Sequence, residues 1–296
     1  MTAPIEIVNR RTGRVEKEPI CGEWFLRFAY GTVLGRFLQA CIGSAPFLSR
    51  IAAWYANGRR SAGAILPFVR RHAIPIGESL VPVEQFASFA EFFSRRLRPD
   101  ARPIDGCRGG IVAPADGRYF AIAELGRQEK LSIKGRRLRL EELLGSAVLA
   151  QKFFLGNGLI CRLSPLDYHR FHFPCDGVPS AVQALPGRLH SVHPLALRRR
   201  FTLSQNRRFL TRLVADCGEV AMVEVGATFV GTVSQTFTPH RHCKKGSEKG
   251  FFSFGGSAIL LLFEKGSVAL AEDLLQNSGN GMETLLHMGE RIAMQC

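Results

Sequence analysis

The sequence predicts an α+β protein, with a helical N-terminal segment followed by a β-rich core. Three observations lead there. From Gly22 to about Arg71 apolar residues recur at helical spacing, with one break around Ser44–Pro46. The stretch RPDARPID (98–105) interrupts this texture, because Pro99 and Pro103 disfavour helix. Beyond residue 110, short apolar runs alternate with Gly, Pro, Asp and Asn, the pattern of strands joined by turns. The expected division is therefore 1–105 for an arm and helices, and 106–296 for the β-rich core.

Taken in order, residues 1 to about 20 are polar and read as a short arm. Between Trp24 and Phe68 the apolar run is broken by Arg27, Arg36, Arg50, Arg59 and Arg60. That mixture suits helices lying on a membrane surface. Composition alone favours the plainer alternative, amphipathic helices packed on a core. FASFAEFFSRRL (86–97) repeats Phe86, Phe89, Phe93 and Leu97 at helical spacing. IVAPADGRYFAIAEL, FFLGNGLICRLS, FLTRLVADCGEVAMVEVGATFVGTV and FFSFGGSAILLLFE read as strand–turn–strand material, and 140–153 as one short helix.

The chain has 296 residues, 46% of them hydrophobic, enough to bury a sizeable core. Its net charge of +14 predicts anionic partners, either nucleic acid or an acidic membrane surface. Eight cysteines lie at irregular spacing without a CxxC pair, which favours reduced, mostly buried thiols over a disulfide framework. The first twenty residues lack the basic-then-apolar order of a signal peptide, and no run of 18 apolar residues supports a spanning helix.

Four segments carry candidate chemistry. APADG places Asp116 in a turn between apolar runs; alone, Asp-Gly is ordinary turn chemistry. SPLDYHRFHFPCDG (164–177) sets His169 and His172 three apart, a spacing open to a shared site, to metal ligation or to structure. GATFVGTV (226–233) has no nucleotide-loop spacing. In KKGSEKGFFSFGGSAILLLFE (244–264) Gly255-Gly256-Ser257 interrupts strand-like sequence, either as a bulge or as a strained Gly–Ser bond presented to a base.

APADG, DYHRFHFP, VGATFVG and KGSEKGFFSFGGS stand in the order, and at roughly the separations, found in the phosphatidylserine decarboxylases. IVNRRTGRVEKEPICGE and FFSRRLRPDARPI also resemble that family, so the resemblance covers nearly the whole chain. DYHRFHFP together with FGGS is its most specific part. Gly-Gly-Ser is one of the family's forms of the cleavage motif, others having Leu-Gly-Ser-Thr; here Ala258 follows the serine.

The resemblance implies a precursor that cuts itself between Gly256 and Ser257, with Asp116, His172 and Ser257 as the processing triad. A serine hydroxyl needs a base, imidazole supplies one near neutral pH, and a carboxylate fixes its tautomer. Ser257 would become a covalent pyruvoyl group, forming an imine with the amine of phosphatidylserine and leading to phosphatidylethanolamine and CO2. His169 would assist in proton transfer or in holding the head group. The resemblance implies neither pyridoxal phosphate nor a metal. It implies a beta chain, 1–256, and an alpha chain, 257–296, that stay together. An anionic membrane surface, a homodimer and a peripheral place on the cytoplasmic face of the inner membrane complete the expectation.

Three rivals are weaker. RRLR (136–139), RRR (198–200) and Asn206-Arg207-Arg208 favour nucleic acid, but no reader motif accompanies them. A serine hydrolase would need a GxSxG elbow, which is absent. A pyruvoyl enzyme for a soluble amino acid leaves the basic helical segment without a use. A metal at His240, His242 and Cys243 would be repelled by Arg241, Lys244 and Lys245.

Overall fold

A computed structural model describes residues 5–19, 54–126, 139–188, 203–226, 233–253 and 257–296. Most of the Trp24–Phe68 region, the basic runs at 136–138 and 198–200, most of GATFVGTV and Gly256 lie outside the described residues.

The strands, in chain order, are β1 (Glu6–Asn9), β2 (Arg14–Lys17), β3 (Gly110–Val112), β4 (Gly117–Ile122), β5 (Asn157–Leu163), β6 (Arg170–His172), β7 (Val178–Pro179) and β8 (Gln183–Leu185). They continue as β9 (Arg208–Ala215), β10 (Gly218–Gly226), β11 (Val233–Gln235), β12 (Glu248–Phe252), β13 (Ser257–Phe263), β14 (Val268–Leu270), β15 (Glu283–Leu286) and β16 (Arg291–Gln295). Five α-helices are used below: α1 (Ile65–His72), α2 (Phe89–Phe93), α3 (Leu140–Leu144), α4 (Ala147–Lys152) and α5 (Glu272–Gly279). The fold is α+β.

The main sheet runs β2-β1-β15-β4-β5-β13-β10-β9-β7, with β8 also on β9. Two three-stranded sheets, β11-β12-β6 and β14-β16-β3, accompany it. AILLLF reads as a continuous apolar run because β13 is buried on both faces. Ile259, Leu261 and Phe263 enter one core with Val220 and Met222; Ala258, Leu260 and Leu262 enter a second with Ala221 and Val223. A third cluster joins Ile65 and Val69 of α1 to Phe86, Phe89, Phe92 and Phe93 around α2.

Several expectations need correction. The N-terminal arm holds a hairpin: Ile5 and Ile7 are buried and β1 pairs in parallel with β15, so the arm is part of the sheet. The helix expected over 140–153 is two, α3 and α4. Gly145 takes a left-handed φ of 66° and Ser146 starts afresh by accepting the Leu149 N–H. The helix expected over 86–97 is only α2, because Leu80 N–H donates to Arg96 O and Arg98 N–H to Glu78 O, which holds 96–98 extended. α5 was not foreseen; its sequence EDLLQNSG is largely polar, and Ser278 Oγ ties it to Ala121 N–H at 2.7 Å.

Candidate active site

Ser257 opens β13, between Leu163 of β5 and Gly226 of β10. Strand alternation places its side chain on the face of Ile259 and Leu261, towards the larger core. The residue is fully buried, and among the described residues its Oγ has no hydrogen-bond partner. An unsatisfied buried hydroxyl costs about 1–3 kcal/mol. The opposing Gly226 is held firmly: its N–H donates to Arg207 O at 2.9 Å and its carbonyl accepts from Asn206 Nδ2 at 2.8 Å.

β6 and β12 bring the two histidines to the segment that leads into Ser257. Phe252 N–H donates to His169 O at 3.0 Å, and His172 pairs opposite Glu248. The register shifts between Glu248 and Gly250, so Lys249 is an extra residue beside His172, a bulge that bends the strand at the site. His169 is fully buried, and its Nδ1 lies 3.0 Å from Asp167 O. A carbonyl only accepts, so Nδ1 carries a proton. Phe93 packs on this ring, with centroids 3.9 Å apart. His172 Nδ1 has no hydrogen-bond partner, and burial lowers its pKa to about 4, so the ring is neutral at pH 7.

Asp116 lies between β3 and β4. Burial pushes its pKa up, but Arg102 and the Met288 N–H outweigh burial and hold the carboxyl below its ordinary value. Met288 N–H donates to Oδ1 at 2.8 Å, and Arg102 reaches both oxygens. Gly117 is needed for close approach rather than for turn freedom: a Cβ there would stand 2.6 Å from Cys161 Sγ and 2.9 Å from Arg162 O. His172 N–H donates to Pro114 O at 2.8 Å, which ties the Asp116 turn to β6.

Asp116, His169 and His172 therefore meet beside the strand that leads to Ser257. Among the described residues no hydrogen bond joins Asp116 to His172, or His172 to Ser257; Asp116 acts on His172 through its charge. Spacing alone does not reveal the supports of this site. Arg102 and Met288 are 14 and 172 residues from Asp116. Asp167 is taken by Arg118 and by Ser164 N–H at 2.6 Å. Lys249 Nζ lies 2.9 Å from Glu224 Oε1, and Gln235 bridges the two at 2.9 and 3.0 Å. This fully buried pair ties β12 to β10, whose Gly226 faces Ser257. Burial raises the pKa of Glu224 and lowers that of Lys249. His240 and His242 are exposed, and Cys243 Sγ turns to Gly177 O.

Comparison with known proteins shows the family to which this chain is similar. The family model for phosphatidylserine decarboxylase matches residues 89–294. The phosphatidylserine decarboxylase proenzyme of Chlamydia trachomatis serovar D is 42% identical over 289 residues, covering 96% of this chain and 95% of that protein. The proenzyme of Chlamydia muridarum is 40% identical over 287 residues, with 96% and 95% covered. That of Chlamydia pneumoniae is 39% identical over 289 residues, with 97% and 96% covered. A family model matched over residues 89–294 and relatives about 40% identical over nearly the whole chain show that the chain belongs to the phosphatidylserine decarboxylase family of enzymes.

Proposed function

We propose that the chain is a precursor that cuts itself between Gly256 and Ser257 and then converts phosphatidylserine to phosphatidylethanolamine and CO2. The observation that carries this reading is the fully buried Ser257 hydroxyl, unpartnered among the described residues at the start of a central strand, five residues after Phe252, whose N–H donates to His169 O. That environment fits a residue destined to become a pyruvoyl group, since it excludes water and leaves the side-chain atoms uncommitted.

Neutral His172 takes the proton of Ser257 Oγ as it attacks the Gly256 carbonyl, and Asp116 stabilises the imidazolium that results. The peptide becomes an ester by an N-to-O acyl shift. Loss of the Ser257 α-proton then expels the Gly256 carboxylate, and water replaces the nitrogen of the dehydroalanine residue, releasing ammonia. Chains 1–256 and 257–296 remain, with β13 still paired to β5 and β10. The pyruvoyl group supplies a conjugated carbonyl that accepts the electrons released as CO2 leaves. His169, with its proton on Nδ1, keeps Nε2 as the nitrogen for proton transfer to the substrate carbon.

In this reading the core, 106–296, does the chemistry, and the helical part of 1–105 docks on an anionic bilayer from the cytoplasmic side. Exposed Trp54 and Leu66 beside exposed Arg59, Arg60, Arg70 and Arg71 support docking. No helix among the described residues is long and apolar enough to cross a membrane. A homodimer follows the family expectation. Intact mass spectrometry of the purified protein tests the reading. Two chains, the 257–296 piece starting with a pyruvoyl group instead of serine, are expected. A single folded chain of 32.7 kDa that never divides would overturn it.

A further inference from the structure

Three arginines around the site have their charge met. Arg102 pairs with Asp116 and Glu78, Arg118 with Asp167 and Glu18, and Arg170 with Glu248. Arg95 differs. It is 7% exposed, and among the described residues its one side-chain hydrogen bond is a long one, Nη1 to Phe92 O at 3.4 Å. Its guanidinium carbon stands 4.8 Å over the Phe92 ring, and among the described residues no ion pair joins it to a carboxylate. Asp116 and Asp167 both act on it electrostatically, but each is already held by another arginine. Burial lowers the Arg95 pKa more than these carboxylates restore it.

A guanidinium held among the described residues by one long side-chain hydrogen bond and a ring face, with no ion pair, keeps N–H donors to offer an anion. Its position is well defined. Arg95 follows α2, where Phe93 packs on His169 and Ser94 O accepts from Arg170 Nε at 2.8 Å. An anion bound there lies beside the histidine assigned above to the substrate. We infer that Arg95 binds the phosphodiester of the phospholipid head group, an inference that rests on the phosphatidylserine reading.

The head group also offers a carboxylate, but the chemistry disfavours it. That carboxylate loses its charge as CO2 departs, so pairing it with a guanidinium would stabilise the ground state and slow the reaction. The phosphodiester keeps its charge throughout and matches the planar fork of arginine. Binding of this kind is equal in ground and transition states and so sets KM rather than kcat.

The test uses wild-type enzyme, Arg95→Gln and Arg95→Lys. Self-cleavage is followed by mass, turnover on phosphatidylserine in mixed micelles, and binding of glycerophosphoethanolamine against ethanolamine by calorimetry. Cleavage should go to completion in all three. KM should rise on the order of 10- to 100-fold in Arg95→Gln and less in Arg95→Lys, with kcat within about threefold. Wild-type enzyme should prefer the phosphodiester over ethanolamine, and Arg95→Gln should lose that preference. Unchanged KM and preference, a fall in kcat alone, or failure of both variants to self-cleave would each overturn the assignment. If the wild type cleaves but does not turn over phosphatidylserine, the proposed substrate fails while calorimetry still decides whether Arg95 holds a phosphodiester.

Discussion

Arg102 grips Asp116 from one side, with Nε 2.9 Å from Oδ1 and Nη2 2.6 Å from Oδ2, both side chains 7% exposed. The pair holds the carboxylate below its ordinary pKa although burial by itself pushes that pKa up. Replacing one partner of such a pair strands the other as a buried charge, at a cost of about 3–5 kcal/mol. Arg102→Gln should lower stability by about that amount in urea titration and slow self-cleavage. A variant as stable as wild type would show that Asp116 does not depend on Arg102.

Ser257→Ala should block self-cleavage and decarboxylation together, because without the hydroxyl the ester cannot form and no pyruvoyl group is made. It should fold normally, since the hydroxyl makes no hydrogen bond to lose. Two fragments from this variant on a denaturing gel would remove Ser257 from the mechanism.

His169→Ala should cleave and then decarboxylate poorly, by about 100-fold or more for loss of a proton-transfer group. Uncleaved His169→Ala precursor would instead assign processing to His169, or to both histidines.

The pH dependence of self-cleavage should carry the signature of His172. Burial lowers its pKa from 6.5 to about 4, so the base is already neutral at pH 6. Between these values the unfolded chain binds the proton that the folded ring refuses. Folding stability from this group is therefore full above 6.5 and is lost as pH falls towards 4. The cleavage rate of folded precursor should hold between pH 6 and 8 and decline only towards pH 4. A midpoint near 6.5 would show that another imidazole is the base.

Lys249 and Glu224 form a second buried pair, here across sheets. Lys249→Met alone should destabilise by about 3–5 kcal/mol, whereas Lys249→Met with Glu224→Met should recover most of the loss. The double variant then shows whether the charges matter beyond stability. If it folds as wild type yet cleaves slowly, the pair positions the loop entering Ser257. Additive losses in the double variant would rule out coupling between the two residues.

Much of the fold could be read along the chain. AILLLF, VAMVEV and LICRL read as strands because they are short apolar runs between turn residues; that Glu224 and Arg162 inside two of them are buried as ion pairs is decided by the tertiary structure. The helix boundaries around 86–97 and 140–153 were less legible, since caps at Ser88 and Ser146 and the left-handed Gly145 decide them locally. The polar N-terminal hairpin was not legible either; β1 is a strand because β15, some 270 residues later, offers its edge.

The same division holds for the site. The sequence by itself determined which groups can react: a hydroxyl at 257, imidazoles at 169 and 172, and a carboxylate at 116, because reactivity belongs to residue type and the motifs place those types. Only the tertiary structure decided their states. Arg102 and Met288 ionise Asp116, burial keeps His172 neutral, Asp167 sets the tautomer of His169, and Arg95 is left with a charge to be matched. Charge state and hydrogen bonding depend on what lies within a few ångströms in space, and here those neighbours come from segments up to 172 residues apart.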